Sequence, residues 1–344
     1  MKPLRIAVLV HEELIPPDTL EGHTDEEIRE WKTEYDVIVT LREMGHEVRP
    51  VGLTDDLAPI RQVGEEWKPH VFFNLLEEFR GSRIFVPHVV SYLELIRRPY
   101  TGCNPRGLIL SRDKALCKKV LTYHRIPTAR FAVFPMGRKT KRPERLQFPL
   151  LVKSIFEDAS LGIAHASIVT SDEKLAERVE FIHRHTETDA LVEQYIDGRE
   201  LYVGVIGNRR LQAFPPWELL FTKAPEYTPR IATAKVKWDR AFQEKYGITS
   251  RAAEDLPSGV ADRITKVCKR LYRILSMSGY ARIDLRLTPE GQVYVLEANP
   301  NPNLEFGEDL AESANAADLS YEALLQRILN LGRRYQAAWR NGSH

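Results

Sequence analysis

Apolar and polar positions follow a two-beat rhythm over the first hundred residues. Leu4 to Val10 reads as a buried strand, and a helix is predicted from Asp25 to about Met44. Thr24 and Glu27 have capping-box spacing at its start, and Gly45 marks its stop. Glu47 to Val51 and Val71 to Asn74 are further strands, and Ile84 to Ile96 reads as a helix. Strands alternating with helices predict a parallel sheet of Rossmann type. No GxGxxG follows the first strand, so the motif that would mark a nicotinamide or flavin site is missing.

The pattern changes after residue 110. Pro99 to Gly102 forms a turn, and a helix begins near Asp113 carrying Lys114, Lys118 and Lys119, the last two read as solvated. Phe148 to Ser154 is an apolar strand interrupted by Lys153, whose ammonium needs an anionic partner. Ile155 to Gly162 could place backbone N–H groups over a phosphate. Strands follow at Ser167 to Thr170, Leu191 to Ile196 and Leu201 to Ile206, with a polar helix capped by Ser171 between the first two. The chain turns at Gly207 and Asn208 and returns through Leu211 to Phe214.

From Phe214 to Trp238 periodicity fades among prolines and aromatics, which reads as a long functional loop carrying Lys223, Arg230, Lys235 and Lys237. Helices are expected from about Ser258 to Met277 and from about Tyr321 to Arg334. The shifts in pattern suggest three units: 1–110, 111–198 and 199–344.

The stretch from Gly279 to Asn303 is the most informative. Arg282, Asp284 and Arg286 alternate with Ile283, Leu285 and Leu287, predicting a strand with one wet face. Thr288 to Gly291 is a turn signal, and Val293 to Leu296 reads as the second arm of a hairpin. Glu297 and Asn299 share a face at its end, and the hairpin brings Asp284 alongside. These are hard oxygen donors without Cys or His, a set suited to magnesium or manganese rather than zinc.

Composition narrows the field. The 344 residues exceed one comfortable core, and 49 basic against 48 acidic residues give no electrostatic reason to expect nucleic acid or an anionic membrane as main partner. Cys103, Cys117 and Cys268 lie far apart, which argues against a disulfide framework or zinc site and fits a reduced cytoplasm. The apolar run Ile6 to Val10 is too brief for a signal peptide or membrane span.

An ordered series of short motifs resembles the ATP-grasp ligases, and within them the D-alanine:D-alanine ligase branch. They are YTG at Tyr100, DK at Asp113, IPT at Ile126, FPLLVK ending at Lys153, EQYIDGRE from Glu193 to Glu200, RIDL from Arg282 and VLEANPNP from Val295 to Pro302. The resemblance covers about Tyr100 to Leu329. It implies an α/β ATP-grasp fold: an N-terminal Rossmann-like domain and two α+β lobes enclosing the nucleotide.

It also implies ATP, magnesium ions, and small-molecule carboxylate and amine substrates joined by an ADP-forming ligase through an acyl phosphate. By position, Lys114 and Lys153 resemble the phosphate-contacting lysines, Glu193 the acceptor for the adenine amino group, the Ile196 backbone the adenine edge and Glu200 the ribose holder. Asp284, Glu297 and Asn299 match the magnesium ligands, and Arg282 the arginine that steadies the transferred phosphoryl group. Lys235, with Lys237 close behind, matches the lysine near the γ-phosphate, and Ser160 remains in the phosphate loop. A homodimer is common among similar ligases. A non-catalytic nucleotide-binding regulator and an ATP-grasp kinase or carboxylase-like enzyme with a non-amine acceptor are the alternatives.

Three departures set the chain apart from D-alanine enzymes. HEELIPPDTLEGH after the first strand lacks the GG-x-S-x-E pattern that helps hold the first substrate's ammonium, and EDASLGI stands where the family has EGSSVG. EFGEDLAES replaces the Ser-Leu pair that receives the second substrate's carboxylate, and Glu305, Glu308, Asp309 and Glu312 make that region acidic. An acidic pocket repels a carboxylate and attracts a cation. The amine substrate is therefore expected to be cationic, or to lack a free carboxylate near its nucleophile.

Overall fold

The computed structural model describes residues 2–156, 165–225, 231–233, 235–236 and 239–337. Its first sheet is parallel, with β2 (Glu47–Leu53) and β3 (Val71–Asn74) flanking β1 (Arg5–His11). Helix α1 (Asp25–Glu43) starts in the expected capping box: the Thr24 hydroxyl accepts from the Glu27 N–H, and the Glu27 carboxylate accepts from the Thr24 N–H at 2.8 Å. Gly45, at φ +85°, supplies the left-handed residue that ends it.

α2 (Ala58–Glu66) and α3 (Val86–Leu95) complete this part, and α4 (Pro105–Arg112) follows. No helix is expected between the turn ending at Gly102 and Asp113, although the start signal of α4 is present: Asn104 caps it, accepting from the Gly107 N–H at 3.0 Å, and Pro105 occupies the first turn. α5 (Lys114–Tyr123) then begins at its Asp113 cap.

The second sheet is antiparallel, in the order β4 (Phe131–Phe134), β7 (Ala190–Gln194), β5 (Leu150–Ser154), β6 (Ile168–Val169), with α6 (Asp172–Thr186) against it. It has its own apolar core, in which Leu150, Val152 and Val192 meet Leu175, Val179 and Ile182 of α6.

The third sheet runs β11 (Ile248–Ala252), β10 (Trp217–Phe221), β8 (Arg199–Ile206), β12 (Tyr280–Leu287), β13 (Val293–Asn299), with β9 (Gln212–Ala213) added to β8. Helix α7 (Arg240–Tyr246) leads into β11, and α8 (Val260–Ile274) covers the apolar face, where Ile264, Cys268 and Leu271 meet Val203, Ile283 and Leu285. Part of the expected 214–238 loop is thus a sheet strand. β10 carries a charge into the sheet, Glu218, held by Arg199 at 2.8 and 2.5 Å, and this breaks the apolar pattern that would mark a strand.

Two last helices, α9 (Asp309–Asn315) and α10 (Tyr321–Arg334), return to the beginning of the chain. Leu324, Leu325, Ile328 and Leu329 of α10 share a core with Ile6, Val8 and Phe73 of the first sheet and with Val37, Ile38 and Leu41 of α1. Gly204 lets α9 approach β8: a Cβ there would lie 2.5 Å from the Leu310 side chain and 2.6 Å from Phe214.

Candidate active site

The hairpin β12–β13 aligns four of the predicted site residues. Arg282 is opposite Asn299 and Asp284 opposite Glu297, with a bulge immediately after Asp284. On the other side of β12, Arg286 is opposite Glu200 and Asp284 opposite Tyr202 of β8. Strand alternation sends Ile283 and Leu285 into the core beneath α8 and leaves the polar residues on the opposite face. The alternation predicts a wet face, and the structure buries much of it. Asp284 and Arg286 are 4% and 3% exposed, because the second sheet stands over them across a cleft.

Burial on that face is compensated by pairing. Arg282 donates to both oxygens of Asp284, at 2.8 and 2.9 Å, and its guanidinium carbon lies 4.6 Å from the Tyr202 ring centroid. Burial would lower the Arg282 pKa, but the Asp284 carboxylate overrides it and holds the guanidinium well above its ordinary value. Arg286 donates to Glu200 at 2.8 Å, and the Tyr202 hydroxyl donates to the same carboxylate at 3.1 Å.

A cleft opens between the two sheets, lined from both sides. Lys153 and Glu193 line one wall, Glu200, Asp284 and Glu297 the other, and Ile196 its edge. Lys114 of α5 reaches across, its Nζ 3.9 Å from Glu297. Lys153 finds the anion its buried strand demands: Glu193, at 2.7 Å.

Glu193 has a second cation, Lys118, at 2.8 Å. Lys118 is not solvated as expected; it is 1% exposed, while Lys119 does face solvent. Its position four residues after buried Lys114 and three before buried Leu121 was the available signal. Burial pushes the Glu193 carboxyl up, but the two ammonium groups outweigh it and bring the pKa down to about 2.

Glu34 is the other residue the pattern concealed. It lies on the apolar stripe of α1 with Trp31, Ile38 and Leu41, 6% exposed. Burial, followed by the charges of Glu77 and Glu305, raises its pKa to about 7. The acidic segment after β13 reaches the same helix: Lys32 pairs with Asp36 at 2.6 Å and lies 3.8 Å from Glu305, and the Phe306 N–H donates to Asp36 at 3.1 Å. Burial, then Asp309 and Glu305, raises the Glu308 pKa to about 7.

Other predicted residues stand apart. Lys235 is exposed and does not line the cleft, whose wall at that end is Ile231 and Ala232. Ser160 and Lys237 lie outside the described residues, as do Arg230, most of the 155–162 loop and the final Gly342 to His344. Asn299 accepts from the Asn301 N–H at 3.0 Å, which fixes its side-chain oxygen on the hairpin face.

The donor set fits a hard divalent cation. Two carboxylates meet in register, and no group of three His, Cys, Asp or Glu side chains converges among the described residues, so the third protein donor would be the Asn299 amide. No helix among the described residues is long and apolar enough to cross a membrane.

Comparison with known proteins gives the family of the chain. Residues 120–330 match the family described as D-ala D-ala ligase C-terminus. An uncharacterized protein of Sinorhizobium fredii, y4sG, is 31% identical over 306 residues, 87% of this chain and 86% of that one. The D-alanine--D-alanine ligase of Bordetella avium is 31% identical over 242 residues, 69% of this chain and 71% of the relative. The ATP-complexed crystal structure of D-alanine--D-alanine ligase from Bacillus anthracis superposes with a TM-score of 0.73 at 23% identity, covering 96% of this chain and 98% of its own. That likeness establishes the expected ATP-grasp fold. With the sequence match spanning both sheets that face the cleft, the chain belongs to the D-alanine–D-alanine ligase family and is an ADP-forming ATP-grasp ligase.

Proposed function

We propose that the chain joins a carboxylate to an amine through an acyl phosphate, on substrates other than D-alanine. The observation that carries the ligase chemistry is the pairing across the cleft: Lys114 and Lys153 from one lobe oppose Asp284 and Glu297, with Arg282 beside them. In the first step the carboxylate oxygen attacks the γ-phosphorus of ATP and the bond to the β-γ bridging oxygen breaks, giving acyl phosphate and ADP. In the second the amine attacks the acyl carbon, phosphate leaves with the C–O bond electrons, and the nitrogen gives up a proton.

Two anions must meet in the first step, so fixed positive charge carries most of the catalytic burden. Lys114 and Lys153 hold the nucleotide phosphates, and Arg282 holds the phosphoryl group in transit. Magnesium held by Asp284, Glu297 and Asn299 would neutralise phosphate oxygens further. Glu193 and the Ile196 backbone read the adenine edge, and Glu200 the ribose. Lys235, Lys237 and Ser160 are assigned to the γ-phosphate end by similarity alone. The three units 1–110, 111–198 and 199–344 would be the substrate domain, the central lobe and the metal-bearing lobe.

The acidic neighbourhood of Glu305, Glu308 and Asp309, approached by Asp36 and Glu34, supports a cationic amine or one without a nearby carboxylate. Candidates are an amino sugar, a polyamine, a basic amino acid or an amino-acid amide. The test is phosphate release with ATP and magnesium against paired libraries of carboxylic acids and amines, D-alanine included, with mass spectrometry of products. Amide formation with a cationic amine is the expected result; turnover on D-alanine alone overturns the specificity, and ATP turnover that needs no amine overturns the ligase chemistry.

A further inference from the structure

Lys118 is one of the largest fully buried side chains in the protein, and it does not line the cleft. A lysine buried to this degree has surrendered its hydration, so its partners define its purpose. It lies 2.8 Å from Glu193 Oε2 and donates to the Thr128 hydroxyl at 2.7 Å. Thr128 in turn donates to the Val295 carbonyl at 2.9 Å, and the Val295 N–H donates to the Pro127 carbonyl at 2.8 Å. Val295 is in β13, two residues before Glu297.

Glu193 has two cations of different accessibility. Lys153 faces the cleft at 2.7 Å from Oε1, where an arriving phosphate can draw it away; Lys118 sits behind the wall on Oε2. A carboxylate has about four lone-pair sites, so both ammonium groups leave acceptor capacity for a base amino group. We propose that Lys118 is a positioning residue: it holds the Glu193 carboxylate toward the nucleotide base when Lys153 engages phosphate, and through Thr128 it ties that carboxylate to the strand bearing Glu297 and Asn299. This rests on reading the cleft as the ATP site.

The test uses the full-length chain with magnesium and measures dissociation constants for ATP and GTP by calorimetry, alongside thermal unfolding without nucleotide. Wild type should prefer ATP. Lys118→Met should weaken ATP about tenfold or more and bring the ATP to GTP ratio toward one, as loss of a buried charged contact implies. Lys118→Arg should restore part of that preference. In a Glu193→Gln background, Lys118→Met should add less than about twofold, because the group it positions has already been changed.

An unchanged ATP to GTP ratio in Lys118→Met, or an equally large effect in both backgrounds, overturns the proposal. Should Lys118→Met not fold, Thr128→Val is read instead: it should weaken ATP about threefold or more at an unchanged unfolding temperature, and unaltered affinity there overturns the proposal. If wild type binds neither nucleotide, the reading of the cleft fails first and this one falls with it.

Discussion

Arg282 grips Asp284 by two parallel hydrogen bonds, 2.8 and 2.9 Å long, from two positions earlier on the same strand. A carboxylate proposed to hold magnesium is thus oriented by the arginine proposed to meet the phosphoryl group. Arg282→Gln should lower kcat by about 100- to 1000-fold, the usual cost of losing one transition-state donor, while ATP KM changes less. Steady-state phosphate release checks this; equal losses in kcat and ATP affinity would make Arg282 a ground-state binding residue.

Glu297→Gln keeps the shape of the side chain and removes the charge opposite Asp284. It should abolish divalent-dependent ADP formation and leave circular dichroism unaltered. Full activity in that variant contradicts the metal assignment.

Lys114 extends from α5 toward Glu297, spanning 3.9 Å. Lys114→Ala should weaken ATP binding about tenfold while shifting the nucleotide-free unfolding temperature little. Unaltered ATP affinity counts against a phosphate role.

Glu34 makes folding sensitive to pH. Its pKa is raised from 4.5 to about 7 in the folded protein, so between those values the folded state binds more protons than the unfolded. Stability contributed by this group is therefore greatest at low pH and falls as pH rises from 4.5 to 7. Glu34→Gln should reduce the loss between pH 5 and pH 8 in urea denaturation. An unchanged pH profile would show that Glu34 does not govern it.

Glu308 tests acceptor choice. With a cationic amine, Glu308→Gln should raise the amine KM about threefold to tenfold while leaving ATP KM unaltered. Unaltered amine kinetics would remove Glu308 from the acceptor subsite.

The β12–β13 hairpin was legible because strict alternation, a turn and buried flanks agree with one another. That Lys153 has an anionic partner was legible for a similar reason, since a charge in an apolar strand demands an opposite one, but its identity as Glu193 was not. Lys118 and Glu34 were hidden by long polar side chains on helices, where solvation is the default and only their position on the apolar stripe betrays them. β10 was hidden because Glu218 interrupts its pattern, and its partner Arg199 lies in a different strand. Contacts distant in sequence decided all three cases, and no local window contains them.

The last long helix has a bearing on biosynthesis. Strands near the start of the chain leave the ribosome hundreds of residues before α10 exists to cover Ile6, Val8 and Phe73. Until then α1 is their main shelter on that side, and the uncovered apolar surface is open to mispairing. Removing residues 321–344 should therefore leave the remaining chain insoluble or chaperone-bound, although every residue lost lies far in sequence from the first sheet.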